Sequence, residues 1–174
     1  MNVRLIKLKK ENEEQFKEMI SEWEKYNLEN KGKVNSSPAA IFKEHSNFDE
    51  YIKELSLKEE KDGLVPFSTY FLLDLDENKL VGATNIRYYL NEYLFNYGGH
   101  IGDGIRPSCR NKGYGKQLIK LSLIKCKQLN IKKVLMVANK DNIASIKTIV
   151  NNGGIFENQV INNDEILNRY WIEL

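Results

Sequence analysis

The sixteen residues RPSCRNKGYGKQLIKL, Arg106 to Leu121, place two glycines, Gly113 and Gly115, one residue apart among Arg110, Lys112 and Lys116. An apolar run at helical spacing follows at once. The first amides of a helix have no partner within it, and the helix dipole makes that end partly positive. Glycines let backbone approach a ligand closely, so such a turn can hold an anion by its N–H groups alone. The three basic side chains would add charge-assisted contacts. A second reading is open, in which the glycines only shape a strand-to-helix turn. The third glycine of a dinucleotide fingerprint is missing, and so is the G-K-[ST] of a Walker A loop.

The elements around the turn can be read from periodicity. Val3 to Leu8 alternates as a short strand, and Glu11 to Leu28 puts Phe16, Met19, Ile20, Trp23 and Tyr26 on one helical face. Residues 30–40 read as a loop. Asn47 with Glu50 three residues on is a capping-box pattern, opening a second helix with Phe48, Tyr51, Ile52 and Leu55 inward. Ser68 to Leu75 and Lys79 to Leu90 form a hairpin around Asp76-Glu77-Asn78. An aromatic connection, NEYLFNYGG, leads to a strand from His100 to Ile105. The turn and its helix, to about Leu129, come next. A strand over Lys132 to Ala138, a helix over Asn142 to Asn152 and a closing hairpin (Phe156 to Ile161, Ile166 to Ile172) complete the order. This is a mixed α/β sheet with helices on its faces.

The chain has 174 residues, which suits one domain over 1–174. A net charge of +2 without any lysine-rich block gives no argument for nucleic acid. Two cysteines, Cys109 and Cys126, are too few for a disulfide framework or a thiolate zinc site, and two histidines, with His45 in a loop, make no metal site. The start, MNVRLIKLKKENEE, turns charged within ten residues, and no apolar run approaches a membrane span. A soluble, cytoplasmic protein is expected.

Strand, then R-N-K-G-Y-G, then amphipathic helix resembles the [RQ]-x-x-G-x-[GA] signature of the GNAT superfamily of N-acetyltransferases, through Arg110, Gly113 and Gly115. Pro107 after the strand and KKVLMVANKDNIASIKTIVNNGG resemble the family's flanking units, and VGATNIRYYL, GGHIGDGIRPS and RYWIEL look like an uncharacterised predicted-acetyltransferase branch. The resemblance implies the GNAT fold: a twisted, mostly antiparallel sheet with one splayed parallel pair. It also implies acetyl-CoA as cosubstrate. The amides of Arg110, Asn111, Lys112, Gly113, Tyr114, Gly115 and Lys116 would cradle its pyrophosphate. Ile105 would pair with the pantetheine arm, in a gap between the strands of Ile105 and Val134. Asn142 and Ser145 would face the cofactor, and a backbone N–H would polarise the thioester carbonyl.

The implied reaction is direct attack by a primary amine of a small molecule or peptide. Many family members carry a tyrosine about seven residues after the asparagine, as acid for the thiolate; here that count lands on Ile149. Candidates for the base are His100, whose ordinary pKa of about 6.5 suits proton uptake, Asp103, set between Gly102 and Gly104, and Glu92. His100 could instead cap its strand, and Asp103 could recognise the amine's charge or be solvated. Asp103 should lie on the opposite face from His100. Arg87 could bind a substrate carboxylate or pair with Asp103. Tyr88, Tyr89, Tyr93, Phe95 and Tyr97 could wall an acceptor pocket or fill the core. Cys126 should be buried and inert, and Cys109, in the turn, could be exposed, with nothing marking it as a nucleophile. Rival functions are a non-catalytic acyl-CoA sensor and a module for another nucleotide. A homodimer is an open assembly, with RYWIEL pairing across it or closing the sheet.

Overall fold

The computed structural model describes residues 1–30 and 47–174. Beyond Asn30, the loop read over 30–40 lies outside the described residues, as does His45. The chain runs β1 (Val3–Ile6), α1 (Glu13–Glu29), α2 (Phe48–Glu54), β2 (Ser56–Leu57), β3 (Phe67–Asp74) and β4 (Lys79–Arg87). It continues β5 (Ile101–Ile105), α3 (Tyr114–Gln128), β6 (Lys133–Asn139), α4 (Ile143–Val150), β7 (Ile155–Asn162) and β8 (Glu165–Glu173). Among the described residues, no helix is long and apolar enough to cross a membrane.

Local chemistry explains the boundaries. The Asn47 side chain accepts from the Glu50 amide at 2.9 Å, so α2 starts where the capping pattern placed it. Asp74 Oδ1 accepts from the amides of Asp76 and Glu77, closing the β3–β4 turn, with Asn78 at φ +48°.

The strands divide into two sheets, β1-β3-β4-β5 with β2 on the edge of β3, and β6-β8-β7. All paired strands are antiparallel. Strand β8, which carries RYWIEL, is the middle strand of the second sheet. Its two edges are taken by β6 and β7, so it closes the sheet and has no edge left to pair across a dimer.

Helices α1 and α2 cover one face of the first sheet, where Met19, Trp23, Tyr51 and Leu55 pack on Phe71, Leu80 and Ala83. Helix α3 covers the other face through Leu118 on Leu72 and Val81, and through Ile119 and Cys126 on Ile86 and Ile101. The latter cluster runs on into Val134, Met136, Tyr170 and Ile172, so one core spans both sheets beneath α3 and α4. Ile149 of α4 is buried in it.

Candidate functional site

The glycine turn lies where β5 hands over to α3. Arg106, only 3% exposed, donates from Nε to Glu22 at 2.5 Å and from Nη2 to Glu18 at 2.7 Å. Glu22 also accepts from the Ser108 amide at 2.7 Å, so α1 holds the start of the turn. Burial raises the Glu22 pKa, but the Ser108 amide and Arg106 outweigh it and hold the carboxyl below its ordinary range. Cys109, whose place in the turn left exposure open, is buried, because it packs with Leu118, Leu72 and Val81 beneath α3.

Asn111 and Gly113 both take positive φ, +60° and +86°, and Gly113 is the N-cap of α3. No side chain caps this helix. Its first recorded i→i−4 bond is from Gln117 N–H to the Gly113 carbonyl, so the amides of Tyr114, Gly115 and Lys116 lack helical partners. The Tyr114 side chain turns inward and donates to Asp74 at 2.6 Å, leaving only its amide for a ligand. The Arg110 side chain is engaged too. Its Nε donates to the Ile105 carbonyl at 3.2 Å, and its guanidinium lies 4.5 Å from the Tyr26 ring centre. Asn142 caps α4 by accepting from the Ser145 amide at 3.1 Å. Asn152 bridges the helices by donating to the Lys116 and Thr148 carbonyls.

Beside this turn, β5 and β6 touch at one point and then part. His100 N–H donates to the Leu135 carbonyl at 2.8 Å, and Leu135 N–H donates to His100 Nδ1 at 2.9 Å. No other hydrogen bond joins the two strands among the described residues. Even-numbered residues of β5 face β4, since Arg87 N–H reaches the His100 carbonyl and Arg106 N–H reaches the Val81 carbonyl. By strand alternation, the backbone groups of Ile101, Asp103 and Ile105 point into the gap. Val137 on β6 does likewise, two residues beyond Leu135. The gap opens toward the Ile105 end of β5, where the uncapped amides of α3 begin.

The three proton-transfer candidates sit in different places. Asp103 pairs with Thr84, whose hydroxyl accepts from Ser122 of α3, and it lies between Ile101 and Ile105, which pack toward α3. It therefore shares the α3 face. Burial pushes its carboxyl up to about 6, against the pull of the Arg87 charge. His100 lies on the other face, edge-on to Trp171 at 6.5 Å. Burial first, and the Arg87 charge second, lower its pKa to about 4. Glu92 is exposed on the aromatic connection, and its carbonyl accepts from Asn96. Asp103 and Glu92 share no hydrogen bond or ion pair with each other or with His100 among the described residues.

Arg87 does not form the expected ion pair with Asp103 among the described residues. Its Nη1 donates to the carbonyls of Gly98 and Gly99, both at 3.2 Å, fastening the aromatic connection to β4. Tyr89, just before that connection, and Tyr93 and Phe95 on it are exposed rather than core. Phe95 reaches Trp171 and lies 4.8 Å from the Arg169 guanidinium. Arg169 was not foreseen from sequence. It is 5% exposed, with Nη1 on Asn158 and Glu157. Ile149, where the family resemblance would put a tyrosine, is 1% exposed and offers no acid. Cys126 is buried and its thiol is pushed up to about 12, so it is inert as expected. No cluster of three or more potential metal ligands occurs among the described residues.

Solved structures share this fold. A ribosomal L7/L12 α-N-protein acetyltransferase, RimL, aligns over 100% of this chain and 91% of its own, with a TM-score of 0.63 and 15% identity. A spermidine N-acetyltransferase SpeG chimera from Vibrio cholerae and hSSAT aligns over 99% and 96%, with a TM-score of 0.61 and 16% identity. An aminoglycoside acetyltransferase in complex with coenzyme A aligns over 62% and 66%, with a TM-score of 0.51 and 13% identity. No curated protein matches the chain in sequence. The family model "Acetyltransferase (GNAT) family" matches residues 20–150, from α1 through the glycine turn to the end of α4. The chain therefore belongs to the GNAT family of acetyltransferases.

Proposed function

We propose that the chain is one catalytic domain that moves an acetyl group from acetyl-CoA to a primary amine of a small molecule or peptide. The observation that carries this reading is the gap between β5 and β6, bordered by strand-edge groups of Asp103, Ile105 and Val137, of which the Ile105 carbonyl accepts from Arg110, and ending at an uncapped helix start. An extended chain with amides, joined to a pyrophosphate, has the chemistry that such a gap and such a turn accept. The amides from Arg110 to Lys116 would hold the pyrophosphate, with Lys112 and Lys116 exposed beside them. The Asp103 and Ile105 edges would pair with the pantetheine amides, and Ser145, with Asn142 as cap, would border the cofactor from α4.

The thioester supplies the activated acyl group. The chain's part is to hold the amine against it, which by itself removes much of the barrier. A β5 amide facing the gap donates to the developing oxyanion. Asp103 takes the proton in this reading, because its carboxyl is raised to about 6 and its backbone borders the gap. Below that pH it fills with a proton and the rate falls. His100 is unsuited, since its Nδ1 already accepts from Leu135. Glu92, exposed on the aromatic shelf, is left to meet the acceptor's cation. With Ile149 in the core, the thiolate departs without a tyrosine acid.

Thermal unfolding with acetyl-CoA, CoA or ATP at equal concentration tests the cosubstrate. Both CoA species should raise the midpoint well above ATP. A polyamine, an aminoglycoside and a peptide with a free N-terminus are then screened for thiol release. No shift with CoA overturns the proposal. A shift without turnover on any amine favours the sensor reading, which the absence of a tyrosine acid keeps in play.

A further inference from the structure

We infer that His100 is a positioning residue whose side chain stands in for a strand carbonyl on the edge of β6 and so fixes the point where β5 and β6 part. Leu135 lies opposite Trp171 on β8, and both of its backbone groups face β5. In an ordinary parallel ladder two residues of the next strand would share them, the His100 N–H reaching the Leu135 carbonyl and the Gly98 carbonyl reaching the Leu135 N–H. His100 cannot offer its own carbonyl, which accepts from the Arg87 amide of β4 at 2.8 Å, and the Gly98 carbonyl is held by Arg87 Nη1 at 3.2 Å. The His100 N–H goes to Leu135, and Nδ1 supplies the missing acceptor. The apex is thus closed with no orphan amide, although the two sheets separate from the next residue on.

The surroundings favour a neutral ring. Nδ1 can accept only when it carries no proton, which places the proton on Nε2. The charged groups near this face are Arg87 from β4, Arg169 from β8 behind Phe95, and Lys133 from β6 over the Trp171 ring. Arg169 is paired with Glu157 of β7 and Lys133 with Glu173 of β8, so Arg87 is the cation without a carboxylate ion pair among the described residues. Asp103 lies on the other face. Backbone further pins the apex, since the Gly98 and Gly99 carbonyls are held by Arg87.

The consequence for catalysis rests on the acetyl-transfer reading, because the apex sets the position of the β5 amides that would face the thioester. The test is made on the full chain. The first measurement is the 15N signature of the imidazoles against pH, with a His45→Asn variant assigning the two histidines. The expected His100 is an Nε2–H tautomer that does not titrate from about pH 5.5 to 8.5. The second measurement is the rate on whichever amine turns over. His100→Asn puts an amide oxygen where Nδ1 was and should keep kcat within about threefold. His100→Gln and His100→Ala should lose about tenfold or more, with pH profiles parallel to the natural protein's. A ring that titrates near its ordinary pKa of about 6.5 overturns the inference, and so does an Asn variant as slow as the Ala variant. An absence of turnover would defeat the acetyl-transfer reading alone, and the imidazole signature would still decide the role of His100.

Discussion

Replacing Gly99 by alanine should be among the most damaging single-methyl changes available to this chain. Gly99 sits at φ +67° and ψ −177°, a region that is essentially glycine-only. A Cβ there would lie 2.6 Å from the Leu135 carbonyl oxygen, 3.2 Å from its carbon and 3.3 Å from Met136 Cα. All three are backbone atoms of β6, so no side chain can swing aside. The conformational cost is about 1–3 kcal/mol, and forcing the strands apart adds about 1–3 kcal/mol. Taken together at about 4 kcal/mol, the loss should lower the midpoint of unfolding by about 8–16 °C for a chain of this size. Gly113 is the internal comparison. Its φ is +86°, but a Cβ would meet only the Met1 methyl at 3.7 Å. Gly113→Ala should therefore cost about 1–2 kcal/mol, from conformation alone. Thermal and urea unfolding of both variants, side by side, measures the difference. Equal destabilisation would refute the claim that β6 presses on Gly99 and that the apex of the splay is closed.

Other consequences can be checked alongside. Tyr114→Phe removes a hydrogen bond to the Asp74 carboxylate and should cost about 1–3 kcal/mol, while acetyl-CoA affinity stays within experimental error; a fall in affinity would place the hydroxyl in the cofactor site. Asp103 has a folded pKa of about 6, above its ordinary 3.8, so its contribution to stability is present below pH 3.8 and is lost as pH rises through about 6. Asp103→Asn should therefore stabilise the protein at pH 8 by up to about 3 kcal/mol relative to its effect at pH 4, and slow turnover; equal effects at both pH values would show the carboxyl is not buried against water. Glu22 has the opposite sign, with a folded pKa below 4.5, so its contribution is present above pH 4.5 and is lost as pH falls through the folded value. Glu22→Gln should destabilise at neutral pH, with the gap closing in acid; a pH-independent difference would mean that packing rather than charge joins α1 to the turn. Gly113→Glu should abolish protection by CoA through bulk and negative charge, and unchanged protection would remove the pyrophosphate from this turn.

Local chemistry made much of this protein legible from its residues. The Asn47 cap, the Asp76–Asn78 turn and the β-branched and aromatic runs of β3 and β4 are written in a few adjacent side chains each, and they appear where local composition puts them. The glycine turn is similar, since positive φ at Gly113 and an uncapped helix start depend on neighbours in sequence. Alternation along β5 was enough to place Asp103 and His100 on opposite faces.

Pairing between distant segments was not legible in the same way. RYWIEL reads as a strand whether it lies at an edge or in the middle, and only the arrival of β6 and β7 on its two sides made it central. Arg87 reads as a partner for a carboxylate, yet the tertiary fold brings the Gly98 and Gly99 carbonyls to it first. Cys109 sits in a polar turn by sequence, and α3 closes over it. His100 shows the division most clearly. Its residue type announces a group that can bind or release a proton, a property of the imidazole alone. Which of these it does depends on Leu135, thirty-five residues away, whose amide occupies Nδ1. The sequence determined the strand, the turn and the helix that frame the site, because those follow from short-range geometry. The tertiary structure decided which polar atoms are already engaged, because that depends on which segments meet.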